Sequence, residues 1–417
     1  MYQSLKKIYY KDRTQYETAY QQRLDSFGVL KTSLFPYLMK QQDFSSSQYP
    51  LFALPILENQ LLMQEVIVNS QLLDQKAHTL PLVAHQQLYQ ELLFDTIVAT
   101  NEIEGIKTTR KDISVAVNHI EKQKAKREIR HLSTVRMYLN ILSDEDFQIN
   151  HVSDIRNLYD RLMEGEVSKE DKPDGQFFRN SMVLIKSMSG KTEHVPPQSE
   201  EKIIEMMEAW ITFINDREIP FLFKATLGHF FFENVHPFFD GNGRCGRYIL
   251  SKYLSKRLDK FSGLVISKKI NEEKNSYYKA FSQTGDVLNR ADGTLFVKTL
   301  LTYIVKGQTE ILEQLTEKEM ILSYYTKKIQ GDQLESSEQA VLLALLQSQL
   351  FATDRQSIWT DAALFKELEG QANSQRALKR AMTSLEEKGI VKKIEKRPLK
   401  HMIQAGFVDE GYPLAVE

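Results

Sequence analysis

Apolar residues recur along most of this chain at the three-and-four spacing of a helix face, not at the alternation of a strand. Leu88, Leu92, Ala99 and Ile103 form one such row, which predicts a helix from about His85 to Asn101 with Gly105 as its stop. Further helices are expected over 128–143, 152–164, 199–215, 220–235, 244–258 and 294–325. Together they would make a bundle between about 110 and 310, interrupted once, from Gly175 to Pro197. There Met182-Val-Leu-Ile185 and Thr192-Glu-His-Val195 flank Ser189-Gly190, which predicts a β-hairpin. A two-stranded ribbon is marginal in water, so it either packs on the bundle or has a task beyond it. Residues 1–80 are polar and helix-compatible, with a loop-like stretch at Asp43–Pro50.

Residues 335–417 have the pattern of a separate small domain. Ala340–Leu350 predicts a helix, Leu364–Leu368 sits in a second, and Ser374–Lys388 is a third with Leu378, Met382 and Leu385 on one face. An extended stretch from Gly389 to Ile403 follows, broken at Arg397-Pro398. Three helices and then a hairpin is the order of a winged helix-turn-helix. The expected architecture is mainly α. It has an N-terminal helical region (1–110), a helical-bundle core with a hairpin (111–330) and a C-terminal winged helix-turn-helix domain (335–417).

Composition narrows the classes. The chain has 417 residues, 42% hydrophobic and 26% charged, ordinary values for a globular protein of two or three domains. Disorder as the main state is excluded, since ample apolar surface offsets chain entropy. Lys+Arg number 54 and Asp+Glu 55, so overall charge does not drive nucleic-acid binding, although a local basic patch remains open. The one cysteine, Cys245, allows no internal disulfide, which fits a reducing compartment. No apolar run nears the roughly 18 residues of a membrane span, and the N-terminus has no signal-peptide core. A cytoplasmic protein with no membrane contact is the expectation.

The segment richest in chemistry is His236-Pro-Phe-Phe-Asp-Gly-Asn-Gly-Arg-Cys-Gly-Arg247. Pro237 cannot continue the preceding helix, so His236 falls at a helix-to-loop junction where a side chain can enter a cleft. Gly241-Asn242-Gly243 lets backbone N–H groups converge on an anion, and the helix that follows aims its free N–H groups at the same point. Arg244 and Arg247 share a face of that helix and suit a polyphosphate. Asp240 supplies one carboxylate, and Mg²⁺ is usually held by one carboxylate with phosphate oxygens and water. The segment reads as a Mg²⁺–nucleotide site with a histidine poised as general base. Each part alone is commonplace, and it is their convergence on one ligand that carries weight. Cys245 reads as filler. His229, seven residues before His236, reads as a core histidine, because no further metal ligands accompany it.

This segment resembles the signature of Fic (Fido-fold) proteins, His-x-Phe-x-(Asp/Glu)-Gly-Asn-Gly-Arg-x-x-Arg, at every specified position. The resemblance covers roughly 85–310. It implies transfer of AMP from ATP to a hydroxyl of a target protein, releasing pyrophosphate. His236 would deprotonate the hydroxyl, and Asp240 would bind Mg²⁺. Gly241, Asn242 and Gly243 would form the anion hole, with Asn242 reaching the α-phosphate. Arg244 would hold the phosphates and Arg247 the γ-phosphate, while Phe238 would anchor the loop in the core. Thr100-Asn-Glu-Ile-Glu104-Gly105 is similar to the family's inhibitory motif, (Ser/Thr)-x-x-x-Glu-(Gly/Asn), and implies that Glu104 pairs with Arg247 and blocks the γ-phosphate. Glu102 does not match the motif position. In some members this glutamate instead positions a water that removes AMP, so the direction of net reaction stays open.

Gly175-Gln-Phe-Phe-Arg179, Val183–Ile185 and His194-Val-Pro-Pro197 resemble the family's flap, against which a target protein segment would dock as an added strand at about 182–195. Arg179 reads as structural. In the C-terminal segment Arg376, Lys379, Arg380, Lys388, Lys392, Lys393, Lys396, Arg397 and Lys400 outnumber Glu386, Glu387 and Glu395. This basic helix and wing offer a surface to DNA, the alternative being a solvated face. A nucleotide-sensing DNA-binding regulator is therefore the competing functional class. A homo-oligomer stays open.

Overall fold

The computed structural model describes residues 2–40, 43–45, 48–121, 129–143, 147–186, 190–369, 374–414 and 416. These are mainly α-helical, and the strands among them occur only as two-stranded antiparallel ribbons. The chain forms two compact units, Met1–Gln71 with Thr96–Gln308, and Leu72–Asp95 with Thr309–Glu417.

The first unit is organised by the helix Phe221–Val235. Its sequence, FLFKATLGHFFFENV, is apolar almost all round, and nearly every residue is buried. A helix without a polar face belongs inside a core, enclosed by other helices. Glu200–Asn215 packs against it, and so does Asn242–Arg257, which in turn packs on Lys260–Glu272. Gly228 lets the Trp210 ring come close, and the Trp210 indole donates to the Gly228 carbonyl at 2.8 Å.

Near the N-terminus, helices Leu5–Lys11 and Arg13–Leu24 bury Leu5, Tyr16 and Tyr20 with Phe52. The Arg290 guanidinium lies over the Tyr16, Tyr20 and Tyr49 rings and pairs with Glu17 at 2.6 Å. The loop expected from Asp43 instead begins as a strand. Asp43–Ser45 pairs with Leu38–Lys40, a ladder that needs backbone groups and not apolar side chains. Ser46 and Ser47 lie outside the described residues.

The hairpin expected before the core helices is present but short. Ile185–Lys186 pairs antiparallel with Thr192–His194, while Met182–Leu184 is not part of a strand. Ser189, half of the expected turn, lies outside the described residues. Most predicted helices appear with shifted ends, as at Leu82–Ile103, Leu132–Leu142 and Thr294–Gly331. Leu57–Thr79, Arg110–Glu121, Lys260–Glu272 and Lys274–Thr284 are helices that the pattern did not single out.

In the second unit, helices Ser336–Phe351, Asp361–Glu369 and Gln375–Glu387 precede a hairpin of Val391–Lys396 with Leu399–Ile403. Val341, Leu342, Leu345, Leu378, Leu385 and Met402 are buried in it. Glu338 is buried and satisfied by Ser384 and Lys388, both at 2.6 Å. No helix among the described residues is long and apolar enough to cross a membrane.

Candidate active site

The site is built where the central helix stops. His236 caps it in the left-handed region (φ 51°, ψ 62°), a conformation that turns the chain sharply into the signature loop. The loop is then closed by its own side chains. Asn242 donates through Nδ2 to the Phe238 carbonyl at 2.8 Å and accepts at Oδ1 from the Phe238 N–H at 2.9 Å. Phe238 is fully buried, stacked on Tyr159 at 3.8 Å between ring centres and edge-on to Phe178. It is the anchor expected from the sequence. The Asn242 side chain is bonded twice to Phe238, and its backbone N–H lies at the start of the following helix, where an anion would meet it.

Gly241 has φ 83°, and a Cβ there would stand 2.7 Å from the end of the Met163 side chain. The positive φ is what requires glycine, since the Met163 side chain can shift. Asp240 accepts from the Gly241 N–H at 2.6 Å and from Arg244 at 2.9 Å. Arg244 is buried, and its Nε finds no acceptor among the described residues. A buried guanidinium donor left open at a helix N-terminus suits an arriving anion.

Glu104 comes from outside this loop. The helix Leu82–Ile103 ends just before it, and Gly105, with φ 75°, turns the chain away. The Glu104 carboxylate meets Arg247 Nη2 at 2.6 Å. Thr100, one turn earlier, accepts from the same guanidinium twice, at Oγ1 (2.9 Å) and at its carbonyl (3.1 Å). A Cβ on Gly243 would stand 2.2 Å from Glu104 Oε1, so the carboxylate rests on the backbone at the first turn of Asn242–Arg257. An anion thus already occupies the anion-favouring end of that helix. Burial pushes the Glu104 carboxyl up, but Arg247, backed by Arg244, outweighs it and holds it below the usual carboxylate range. Glu102 faces elsewhere, accepting from Asn271 at 2.8 Å.

His236 is kept neutral. Burial, with the adjoining His194 imidazole and the Arg179 guanidinium, pushes its imidazole down to about 3. Arg179 is fully buried and donates to the carbonyls of His236 (2.8 Å), Pro197 (2.7 Å) and Ser181 (3.1 Å). It fastens the histidine's backbone to both ends of the hairpin segment, a positioning role that the sequence indicated only as structural. His194, on the second strand, is bonded to the Asn234 carbonyl at 2.6 Å and ties the hairpin to the central helix. Cys245 is buried, and burial pushes its thiol well up, so it is inert filler. His229 is bonded to the Tyr277 hydroxyl at 2.7 Å, as a core histidine should be.

For Mg²⁺ the relevant donor is Asp240, whose side chain is 45% exposed and so reachable by a hydrated ion. Among the described residues no group of three or more His, Cys, Asp or Glu is gathered to hold a metal alone. One hard carboxylate, completed by phosphate oxygens and water, fits the habits of this ion.

A family model described as Fic/DOC family matches residues 149–254, which take in the hairpin, the central helix and His236 to Arg247. The chain carries a Fic/DOC domain. Glu104 and the C-terminal helices lie outside the matched span. Over 153 residues the chain is 26% identical to Protein adenylyltransferase Fic of Drosophila yakuba, covering 36% of this chain and 28% of that protein. Over 132 residues it is 28% identical to the protein of the same name from Drosophila erecta, covering 31% and 24%. The alignment therefore spans only about a quarter of these curated relatives' length (28% and 24%). A solved Fic family protein from Desulfovibrio desulfuricans G20 superposes with a TM-score of 0.52 at 17% identity, over 84% of this chain and 97% of that one. The fold is that of Fic proteins.

Proposed function

We propose that this Fic/DOC protein transfers AMP from ATP to a hydroxyl of a target protein and that Glu104 restrains it. The observation that carries the proposal is the Glu104 carboxylate 2.6 Å from Arg247, resting on Gly243 at a helix N-terminus. An arginine and a helix N-terminus that hold a carboxylate so well would hold a phosphate by the same interactions.

With Glu104 withdrawn, Arg247 would receive the γ-phosphate and Arg244 the neighbouring phosphates. The backbone N–H groups of Gly241 to Gly243 would face the α-phosphate. Asp240 would hold Mg²⁺, which when bound neutralises phosphate charge. The target hydroxyl would attack the α-phosphorus while neutral His236 takes its proton. The bond from the α-phosphorus to the bridging oxygen breaks, and pyrophosphate leaves. Positioning and charge neutralisation carry most of such a reaction. A target segment would pair with the hairpin edge, near the exposed Met182 and Leu184.

The test uses ATP labelled at the α-phosphate, with Mg²⁺ and a cell lysate as the source of targets. Charged hydrogen bonds contribute roughly 1.5–3 kcal/mol, so Glu104→Gly should raise protein labelling by about 10- to 100-fold. Adding His236→Ala should abolish it. Equal labelling by wild type and Glu104→Gly would overturn the restraint, and labelling that survives His236→Ala would overturn the role of the histidine.

A further inference from the structure

Between Ser374 and Lys400 the chain has nine basic residues and three acidic ones, and the structure sorts them. Lys388 is bound to Glu338 at 2.6 Å. Lys400 is buried, donates to the Gln356 carbonyl and lies 3.6 Å from Glu395. Lys393 lies 4.0 Å from Glu386. Among the described residues, Arg376, Lys379 and Arg380 on the helix and Lys392, Lys396 and Arg397 on the hairpin have no acidic partner.

The helix Gln375–Glu387 is strongly two-sided. Leu378, Ala381, Met382 and Leu385 are buried. Arg376, Lys379, Arg380 and Thr383 are exposed and, with Gln375, Ser384 and a single acidic residue, the exposed Glu387, line an open concavity of about 650 Å³ on the other side. The three cations fall in the first two turns, and the first turn has no acidic residue. A helix macrodipole disfavours cations at that end, so the helix's own stability does not explain them. The hairpin follows at once, with Lys396 and Arg397 exposed near its turn.

We propose that this helix and hairpin bind duplex DNA. The helix would enter the major groove, with Arg376, Lys379 and Arg380 reaching phosphates and base edges. Lys396 and Arg397 would hold the adjacent backbone. Charge complementarity selects a polyanion, and shape selects DNA, because the deep, narrow major groove of duplex RNA does not admit a helix. The inference concerns a surface outside the Fic/DOC signature and does not depend on the transferase reading.

The full chain would be titrated against a fluorescent mixed-sequence DNA duplex of about 30 base pairs, from about 50 to about 200 mM KCl. Binding at micromolar or lower concentration is expected at the low salt, weakening by about 10²–10³-fold at the high salt as counterions are released. The combined variant Arg376→Ala, Lys379→Ala, Arg380→Ala should bind at least about ten-fold more weakly, with a salt slope reduced by about three. Its thermal melting should be unchanged, since the three side chains are exposed. No binding at low salt would overturn the proposal, as would wild-type affinity in the variant. Equal displacement of the probe by duplex RNA or by polyglutamate would also overturn it, and would point to a general polyanion surface.

Discussion

The two sides of the Glu104–Arg247 pair are held in different ways. The signature loop is fixed many times over, by Asn242 bonded twice to Phe238, by the buried Phe238 stack, and by Arg179 on the His236 carbonyl. None of these contacts involves Glu104. The end of Leu82–Ile103 meets the loop chiefly through Thr100 and Glu104, and beyond Glu104 the chain turns off at Gly105 into open space. The comparison teaches that the signature loop is assembled by contacts that do not include Glu104. Under the proposed function, the Glu104 carboxylate could therefore be withdrawn while the loop's own contacts stay in place.

The largest effect should come from the over-fixed side. Asn242→Ala leaves the buried Phe238 N–H and C=O without partners, at a cost of roughly 2–6 kcal/mol for the two groups. In a Glu104→Gly background, AMP transfer should fall by about 100-fold, with a lowered melting temperature. Activity retained within about two-fold, a difference under 0.5 kcal/mol, would mean that the loop is not held by Asn242 and would break the comparison.

A smaller effect tests the wall behind the pair. Glu233 packs against Gly246, where a Cβ would stand 2.1 Å from its Oε1, and that oxygen is buried with no partner among the described residues. Burial pushes its carboxyl up to about 8, against the pull of Arg247. A folded state that keeps this proton loses stability as pH rises from the ordinary carboxylate value near 4.5 towards 8. Glu233→Gln removes that dependence. The variant's melting temperature should therefore exceed wild type at pH 8 by roughly 1–2 °C for each kcal/mol gained, with little difference near pH 4.5. A constant difference between the two pH values would assign the effect to packing alone.

Much of this was legible in the sequence, and the reasons are local. His236 to Arg247 is one continuous segment in which proline, glycine and the helix start dictate the backbone, so the loop could be read from its residues. The pairing of Glu104 with Arg247 was legible through the motif and the helix before it. Arg179 was only half legible, because its task depends on carbonyls at His236, Pro197 and Ser181 that distance along the chain conceals. The bonds of the Asn242 side chain to Phe238 were likewise not legible, because they depend on how the loop closes on itself. Asp43–Ser45 was hidden for another reason, since its ladder is made by backbone groups that every residue carries.

The smallest effect probes the weaker side where it is least obvious. Lys274 donates to the Ile103 carbonyl at 2.8 Å, at the last residue of the helix that carries Thr100. A cation at a helix C-terminus contributes about 0.3–1 kcal/mol through the macrodipole. If that contact helps hold Glu104 over Gly243, Lys274→Ala should loosen the restraint without touching the loop. AMP transfer by the otherwise wild-type chain should rise by about two- to five-fold, the rate equivalent of that energy. In the Glu104→Gly background the same substitution should change nothing, since no restraint is left to loosen. The pair of measurements forms a double-mutant cycle, and the coupling it reads separates a positioning role from a general loss of stability. Equal changes in both backgrounds would place Lys274 on the framework side and erase the distinction between the two halves of the site.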